Sequence, residues 1–159
     1  MTGFTHMDTE GRVRMVDVTA KEATERTAVA RGEITMHPDT LEKILAGAVT
    51  KGNVLETARI AGVMAAKKTS DLIPMCHPLP LTHVRIDFFP DRAARLIRIE
   101  AAARLVGRTG VEMEALTAVT VAALTIYDMC KSHDRDMTIT DVRLVEKSGG
   151  KSGHYVRGE

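Results

Sequence analysis

Two segments of the sequence concentrate side chains that could carry chemistry. The first, Leu72–Leu79, reads LIPMCHPL and places Cys76 and His77 between two prolines, whose fixed φ stiffens the loop. A stiff loop can hold a histidine still against a substrate. A rigid turn with a hydrogen-bonded histidine is the commoner occurrence, because isolated histidines seldom ligate or catalyse, and the residues of this loop alone favour that interpretation.

The second segment, Tyr127–Asp134, follows a long apolar run and reads YDMCKSHD. Asp128 and Lys131 stand three positions apart, so a helix presents them on one face. They form either an ordinary surface ion pair or an acid–base pair whose strengths are tuned by desolvation. The apolar surroundings favour partial burial, which the second interpretation requires, and the sequence leaves both open.

Carboxylates and sulfur ligands near these segments have alternative interpretations. Glu112 and Glu114 either interact with the dipole at the start of a helix or bind amino and imino groups of a substrate ring. Cys130 and His133, with Cys76 and His77, make a set of four candidate zinc ligands. Zinc is disfavoured because the neighbouring Cys76 and His77 side chains would rarely both face one ion.

The C-terminal tail Gly149–Gly153, GGKSG, resembles the end of a P-loop. Val145 stands where that motif needs glycine and no helix follows, so the tail is not an NTPase motif. It can still serve as a flexible anion-binding segment. Basic residues at the predicted ends of elements suit either solubility or a polyphosphate substrate; they are Arg26, Lys51, Lys67, Lys68, Lys131, Lys147 and Lys151.

Hydrophobic periodicity and turn signals predict the elements that position these residues. The first three elements are a strand over Thr27–Met36, a helix from Pro38 that ends at Lys51-Gly52, and a helix capped by Asn53 and Glu56 that runs to about Lys68. Two strands follow over Thr82–Phe88 and Ile97–Leu105, with a turn beginning at Pro90-Asp91. The last two elements are a helix opened by a Thr109–Glu112 capping box, which runs to about Lys131, and a strand over Met137–Glu146. This order predicts an α+β, ferredoxin-like βαββαβ fold with an additional helix, in which helices pack on an antiparallel sheet.

Length and composition limit the organisation and the partners. The 159 residues suit an N-terminal arm over residues 1–25, either mobile or ordered on assembly, and a single catalytic domain over residues 26–159. A net charge of +1 and an aromatic content of 3% argue against nucleic-acid binding. Two cysteines and no secretory signal indicate the cytoplasm. Uncharged apolar stretches such as Ala61–Ala66 predict no membrane span.

The sequence resembles the cyclic pyranopterin monophosphate synthase family, the accessory protein C of molybdenum cofactor biosynthesis. LIPMCHPL and LTIYDMCK are long and specific motifs, and Met75 stands where leucine is common. The matching stretches are Met15–Thr19, Ala58–Gly62, Leu72–Leu79, Gly110–Val119, Leu124–Lys131 and Lys147–Gly153.

The resemblance implies a lyase that converts (8S)-3′,8-cyclo-7,8-dihydroguanosine 5′-triphosphate to cyclic pyranopterin monophosphate and diphosphate. It implies a homohexamer, a trimer of dimers with sites between subunits, and no cofactor except a Mg²⁺ ion that could accompany the triphosphate. Asp128, Lys131 and Lys51 are the implied catalytic residues, and a lysine with a lowered pKa would suit the proton transfers. The implied substrate-binding residues are Met75, Cys76, His77, Met113, Glu114 and Glu112, with Arg26, Lys67, Lys147 and Lys151 for the triphosphate. A nucleotide-binding module without catalysis and a zinc hydrolase are the rival hypotheses.

Overall fold

A five-stranded antiparallel sheet with helices on one side forms the body of the protein. The computed structural model describes residues 7–158, so residues 1–6 of the predicted arm, and Glu159, lie outside the described residues. The strands are β1 (Thr24–Thr35), β2 (His83–Asp91), β3 (Leu96–Gly107), β4 (Thr138–Ser148) and β5 (Tyr155–Val156), and the helices are α1 (Pro38–Leu45), α2 (Val54–Lys67), α3 (Thr69–Leu72) and α4 (Glu112–Cys130). The strand order β2-β3-β1-β4-β5 confirms the ferredoxin-like prediction, with α1 as the additional helix of the first crossover. The sequence patterns did not predict α3 or β5.

The centre of the sheet follows the alternation of apolar and polar side chains. In β1, Ala28, Ala30 and Ile34 are completely buried. Arg31 and Glu33 occupy intervening positions and form ion pairs with Glu100 and Arg98 on β3. One face of the sheet therefore supplies the core, while the other carries cross-strand charge pairs.

Helix α4 is the core helix, and it packs on β1, β3 and β4 as well as on α2. A Cβ at Gly62 of α2 would overlap the Ile86 side chain of β2 and lie 3.0 Å from the Ala118 carbonyl of α4, so glycine suits this close antiparallel approach. By length and composition α4 could cross a membrane, contrary to the expectation from the apolar stretches. Of the most apolar 18-residue stretch of α4, 56% is buried within the fold, which is typical of the core helix of a soluble protein.

Several predicted boundaries were wrong. No side chain caps α4, whose N-cap residue is Val111, so the Thr109–Glu112 capping box does not form. Asn53 does cap α2, because its side chain accepts a hydrogen bond of 3.1 Å from the Glu56 amide. Helix α1 ends at Leu45, well before Lys51, since the chain leaves the helix through Gly47 with φ +66°.

The strands extend further than their periodicity indicated. β1 begins at Thr24 and β4 continues to Ser148. β2 includes Pro90 and Asp91, so the hairpin turns after these residues, with Arg95 at φ +57°. Backbone pairing with β3 carries β2 through the proline, which stands at the edge of the sheet where no amide donor is needed.

Candidate active site

The predicted site residues lie at opposite ends of α4. Lys51 approaches its C-terminal end, at Asp128, just before α2 begins. Because α2 and α4 are antiparallel, Lys67 at the end of α2 lies towards the N-terminal end of α4. The other predicted substrate-binding residues also lie towards that end, on the loop before β2, at the start of α4, where β1 begins, and from the end of β4 into the C-terminal tail.

At the C-terminal end, Lys51, Asp128 and Lys131 form a single cluster, called here the Asp128 cluster. The Lys131 Nζ donates to the Asp128 Oδ1 at 2.6 Å. The Lys51 Nζ donates to the Asp128 backbone carbonyl at 2.8 Å and lies 3.4 Å from Oδ2. The fold therefore brings all three predicted catalytic residues together, with the carboxylate between the two ammonium groups.

The electrostatics of the Asp128 cluster differ from the expectation. The hydrogen bond and charge of Lys131, followed by the charge of Lys51, hold the pKa of Asp128 below its usual value. The same bond raises the pKa of Lys131, whereas a lowered lysine pKa was expected. The expected desolvation is also absent within one chain, because the side chains of Asp128 and Lys131 are 58% and 51% exposed.

At the N-terminal end of α4, Glu114 is a buried carboxyl group with 4% of its surface exposed. Burial, with a smaller contribution from the charge of Glu112, raises the pKa of Glu114 to about 7, although a hydrogen bond from its own backbone amide opposes the rise. Burial and the charge of Glu114 also raise the pKa of the half-buried Cys76 thiol. Glu114 and Cys76 are therefore neighbours, while Met113 is 37% exposed beside them.

The loop that carries Met75, Cys76 and His77 is tied to the N-terminal arm. The His77 Nε2 lies 2.8 Å from the backbone carbonyl of Val16. A carbonyl only accepts hydrogen bonds, so Nε2 carries the proton when the ring is neutral, and Nδ1 is then an acceptor. The Val16 carbonyl thus holds the histidine in one orientation.

A cationic cleft of about 750 Å³ opens beside these residues, between the arm, the loop before α4 and the C-terminal tail. Its basic lining residues are Lys21, Arg26, Arg108, Lys147 and Lys151. The Lys147 Nζ contacts Glu112 Oε1 at 2.9 Å and Ser152 Oγ at 2.8 Å. Three of the four residues predicted for a triphosphate therefore share one cleft, and Lys67 is not part of its lining.

Lys21 and Arg108 line the cleft but were missed by the sequence interpretation. Each is a single basic residue in a polar segment, and neither belongs to a spaced pattern that would indicate a site. The one signal that could have found Arg108 is its position shortly before α4, close in sequence to the acidic Glu112 and Glu114.

The two ends are too far apart to act on the same atoms within one chain. From Glu112 to Asp128, an α-helix with a rise of about 1.5 Å per residue extends roughly 24 Å. The candidate zinc ligands are separated in the same way, since Cys76 lies near Glu114 and Cys130 is the last residue of α4. Within residues 7–158, no group of three or more His, Cys, Asp or Glu side chains is placed to hold a metal ion.

Comparisons with known proteins cover the parts of the chain that form both ends of α4. The sequence model of the MoaC family matches residues 15–150, which include the Asp128 cluster and the His77 loop. A relative from Desulforapulum autotrophicum is 68% identical over 156 residues, which cover 98% of this chain and 96% of the relative. One from Desulfatibacillum aliphaticivorans is 65% identical with 98% of both chains covered, and one from Heliobacterium modesticaldum is 58% identical over the full length of both. All three relatives are named cyclic pyranopterin monophosphate synthase.

Proposed function

The chain belongs to the MoaC family, and from this premise we propose that it is a cyclic pyranopterin monophosphate synthase of molybdenum cofactor biosynthesis. The reaction converts (8S)-3′,8-cyclo-7,8-dihydroguanosine 5′-triphosphate to the cyclic pterin monophosphate and diphosphate. The observation that carries the proposal is the 68% identity to a synthase of that name over nearly the whole chain. The cationic cleft and the Asp128 cluster fit this chemistry, which needs both phosphate binding and proton transfer.

The active site, in this proposal, lies between two chains of a homohexamer built as a trimer of dimers. The support is the separation of roughly 24 Å along α4, which keeps the cleft and the Asp128 cluster of one chain apart. Exposed apolar side chains on the solvent-facing sides of α2 and α4 suit burial against a second chain; they are Ile60, Met64 and Leu124. A docked chain would also remove water from the Asp128 cluster, which strengthens its charge interactions.

The Asp128 cluster is the proposed source of the proton transfers. Opening and reclosing the purine-derived ring requires protons to leave and reach nitrogen and carbon atoms. Asp128, whose lowered pKa keeps it ionised at neutral pH, accepts a proton, and Lys131 or Lys51 donates one. Because the carboxylate contacts both lysines, the lysine that has donated its proton can take up the proton that Asp128 accepted, which restores both groups.

The cationic cleft is the proposed triphosphate site. Forming the cyclic phosphate requires a substrate hydroxyl oxygen to attack the α-phosphorus while diphosphate leaves from the opposite side. Arg26, Lys147 and Lys151 stabilise the charge that develops on the leaving diphosphate. Lys147 exchanges its contacts with Glu112 and Ser152 for phosphate oxygens. Lys67 does not line the cleft of its own chain. In this proposal its side chain contacts the phosphates from outside the cleft.

The ring of the substrate, in the same proposal, lies against Met75, Cys76, His77, Met113 and Glu114. The pKa of Glu114, about 7, allows the carboxyl group to donate or accept a hydrogen bond at a ring nitrogen. No organic cofactor or resident metal is proposed, since the cleft's basic side chains already supply positive charge to the phosphates. A Mg²⁺ ion that arrives with the triphosphate would be held by phosphate oxygens, and activity after chelation measures its contribution.

We also propose that the protein acts in the cytoplasm. Its substrate derives from GTP, and Cys76 and Cys130 are free thiols, which is typical of a reducing compartment.

Single alanine substitutions test the catalytic assignment. Lys51→Ala, Asp128→Ala and Lys131→Ala are each expected to lower kcat by at least about 100-fold, measured as pterin product and diphosphate released. Lys68→Ala, an exposed lysine outside the cleft lining, is the matched control and is expected to retain full turnover. Near-normal turnover by the Asp128 and Lys131 variants would contradict the assignment. A wild-type protein that binds the substrate tightly without changing it would support the nucleotide-binding module instead.

A further inference from the structure

Asp134 is a buried carboxylate just beyond α4, and the proposed chemistry gives it no role. Only 9% of its surface is exposed. Its Oδ2 accepts hydrogen bonds from the His37 backbone amide at 2.8 Å and from the Thr40 hydroxyl at 3.1 Å. Its Oδ1 accepts one from the Asp136 amide at 3.1 Å. A buried carboxylate with this many donors is held in one position.

These hydrogen bonds connect two helices. His37 is the N-cap residue of α1 and the buried Thr40 lies in its first turn. On the other side, the Asp134 amide donates to the Cys130 carbonyl at the end of α4. Asp134 therefore fastens the start of α1 to the end of α4. Burial by itself would raise its pKa, but the bonds from His37, Asp136 and Thr40 outweigh burial and keep the pKa below its usual value.

The chain that leaves α1 carries Lys51. Leu41 and Ile44 bury one face of α1 in the core, so the helix moves as a rigid body. The chain then turns at Gly47, which has a positive φ, and brings the Lys51 Nζ back to the Asp128 carbonyl of α4. The end of α4 is therefore connected to this part of the chain twice. Asp134 accepts a hydrogen bond from the start of α1, and Lys51, in the loop after α1, donates one to Asp128.

We propose that Asp134 is a positioning residue for the Asp128 cluster. By fixing where α1 begins relative to the end of α4, it sets the distance over which Lys51 reaches Asp128. The effect of Asp134 on the position of Lys51 does not depend on the proposed function, whereas its effect on turnover does. Small displacements of catalytic groups lower rates strongly, so the expected effect is on kcat rather than on substrate affinity.

The test compares Asp134→Ala and Asp134→Asn with Asp136→Asn, an exposed carboxylate two residues away whose side chain accepts no hydrogen bond within residues 7–158. The geometric measurement is the rate at which an amine-acylating reagent modifies Lys51, relative to Lys68 in the same protein, by peptide mass spectrometry. We expect Lys51 to react several-fold faster in the Asp134 variants, because a freed amine is no longer held by Asp128. We expect the Asp136 variant to match the wild type.

The kinetic measurement separates the inference from the proposed function. With synthase substrate, Asp134→Ala is expected to lower kcat about tenfold or more with little change in KM, because the cationic cleft at the other end of α4 is untouched. Faster Lys51 acylation with unchanged kcat would support the positioning role and contradict the catalytic role of Lys51. Unchanged acylation, whatever the kcat, would overturn the positioning role.

Folding defects do not obscure the result if a milder variant is included. Thr40→Val keeps the side-chain shape and removes only the hydroxyl that donates to Asp134 Oδ2. It is expected to change Lys51 acylation and kcat in the same directions as Asp134→Asn, by a smaller factor. A Thr40→Val protein that is stably folded and has wild-type Lys51 reactivity would count against the inference even where Asp134→Ala fails to fold.

Discussion

Glu114 is expected to make the stability of the protein fall as the pH rises. The folded chain keeps the carboxyl proton up to about pH 7, whereas the unfolded chain releases it near the ordinary value of 4.5. Between these values the folded state binds more protons than the unfolded state, so raising the pH favours unfolding. The loss begins above pH 4.5 and is complete above pH 7.

The size of this effect follows from the pKa of Glu114. A rise from 4.5 to about 7 corresponds to about 3 kcal/mol, because a difference of one pKa unit equals about 1.4 kcal/mol. Glu114→Gln removes the titrating group while keeping its shape. The free energy of unfolding of the variant minus that of the wild type should therefore increase by about 2.5 kcal/mol between pH 5 and pH 8.

Urea unfolding at several pH values, at one protein concentration, measures this difference. Subtracting the wild type cancels the titration of the other groups, including the histidines. Glu56→Gln is the matched control, since Glu56 is an exposed first-turn carboxylate of α2, and its difference from the wild type should stay nearly constant. A constant difference for Glu114→Gln, or a ¹³C carboxyl titration of Glu114 near pH 4.5, would refute the reasoning.

Three further predictions follow from helix capping, core packing and the cleft. Asn53→Ala should lower the free energy of unfolding by about 1 kcal/mol, whereas Thr109→Ala should change it by less than about 0.5 kcal/mol, because the Asn53 side chain caps α2 and no side chain caps α4; urea unfolding measures both. Ile126→Ala, which empties a completely buried position in α4, should cost about 2–5 kcal/mol in the same assay. Lys151→Ala should raise KM several-fold in steady-state assays and weaken its dependence on salt, because a phosphate contact is lost; an unchanged KM would place the triphosphate elsewhere.

The fold was predictable because each element repeats a short-range pattern. The alternation around Ile34 and the small-residue face around Gly62 both reflect burial that the sequence shows directly. Helix ends were less predictable, because a capping box depends on backbone geometry as well as on residue types. Thr109 has the right spacing to Glu112, yet the chain enters α4 through Val111 without a side-chain cap.

The site was predictable as a set of residues but not as an arrangement. The motifs identified Asp128, Lys131 and Lys51, which the fold joins in one cluster. The separation of this cluster from the cleft around Lys147 depends on long-range packing, because the cleft forms where the start of β1, the loop before α4 and the C-terminal tail meet. The expected partial burial of Asp128 is not found within one chain, which leaves its side chain 58% exposed.

In the proposed function, each active site combines the Asp128 cluster of one chain with the cationic cleft of another. Mixing inactive Asp128→Ala and Lys147→Ala proteins, after dissociation and reassembly, tests it most directly. If the site lies between chains, random mixing should restore about a quarter of the wild-type sites, because each site draws one half from each of two chains. If the site lies within one chain, every chain carries one defect, and the mixture should be no more active than the separate variants.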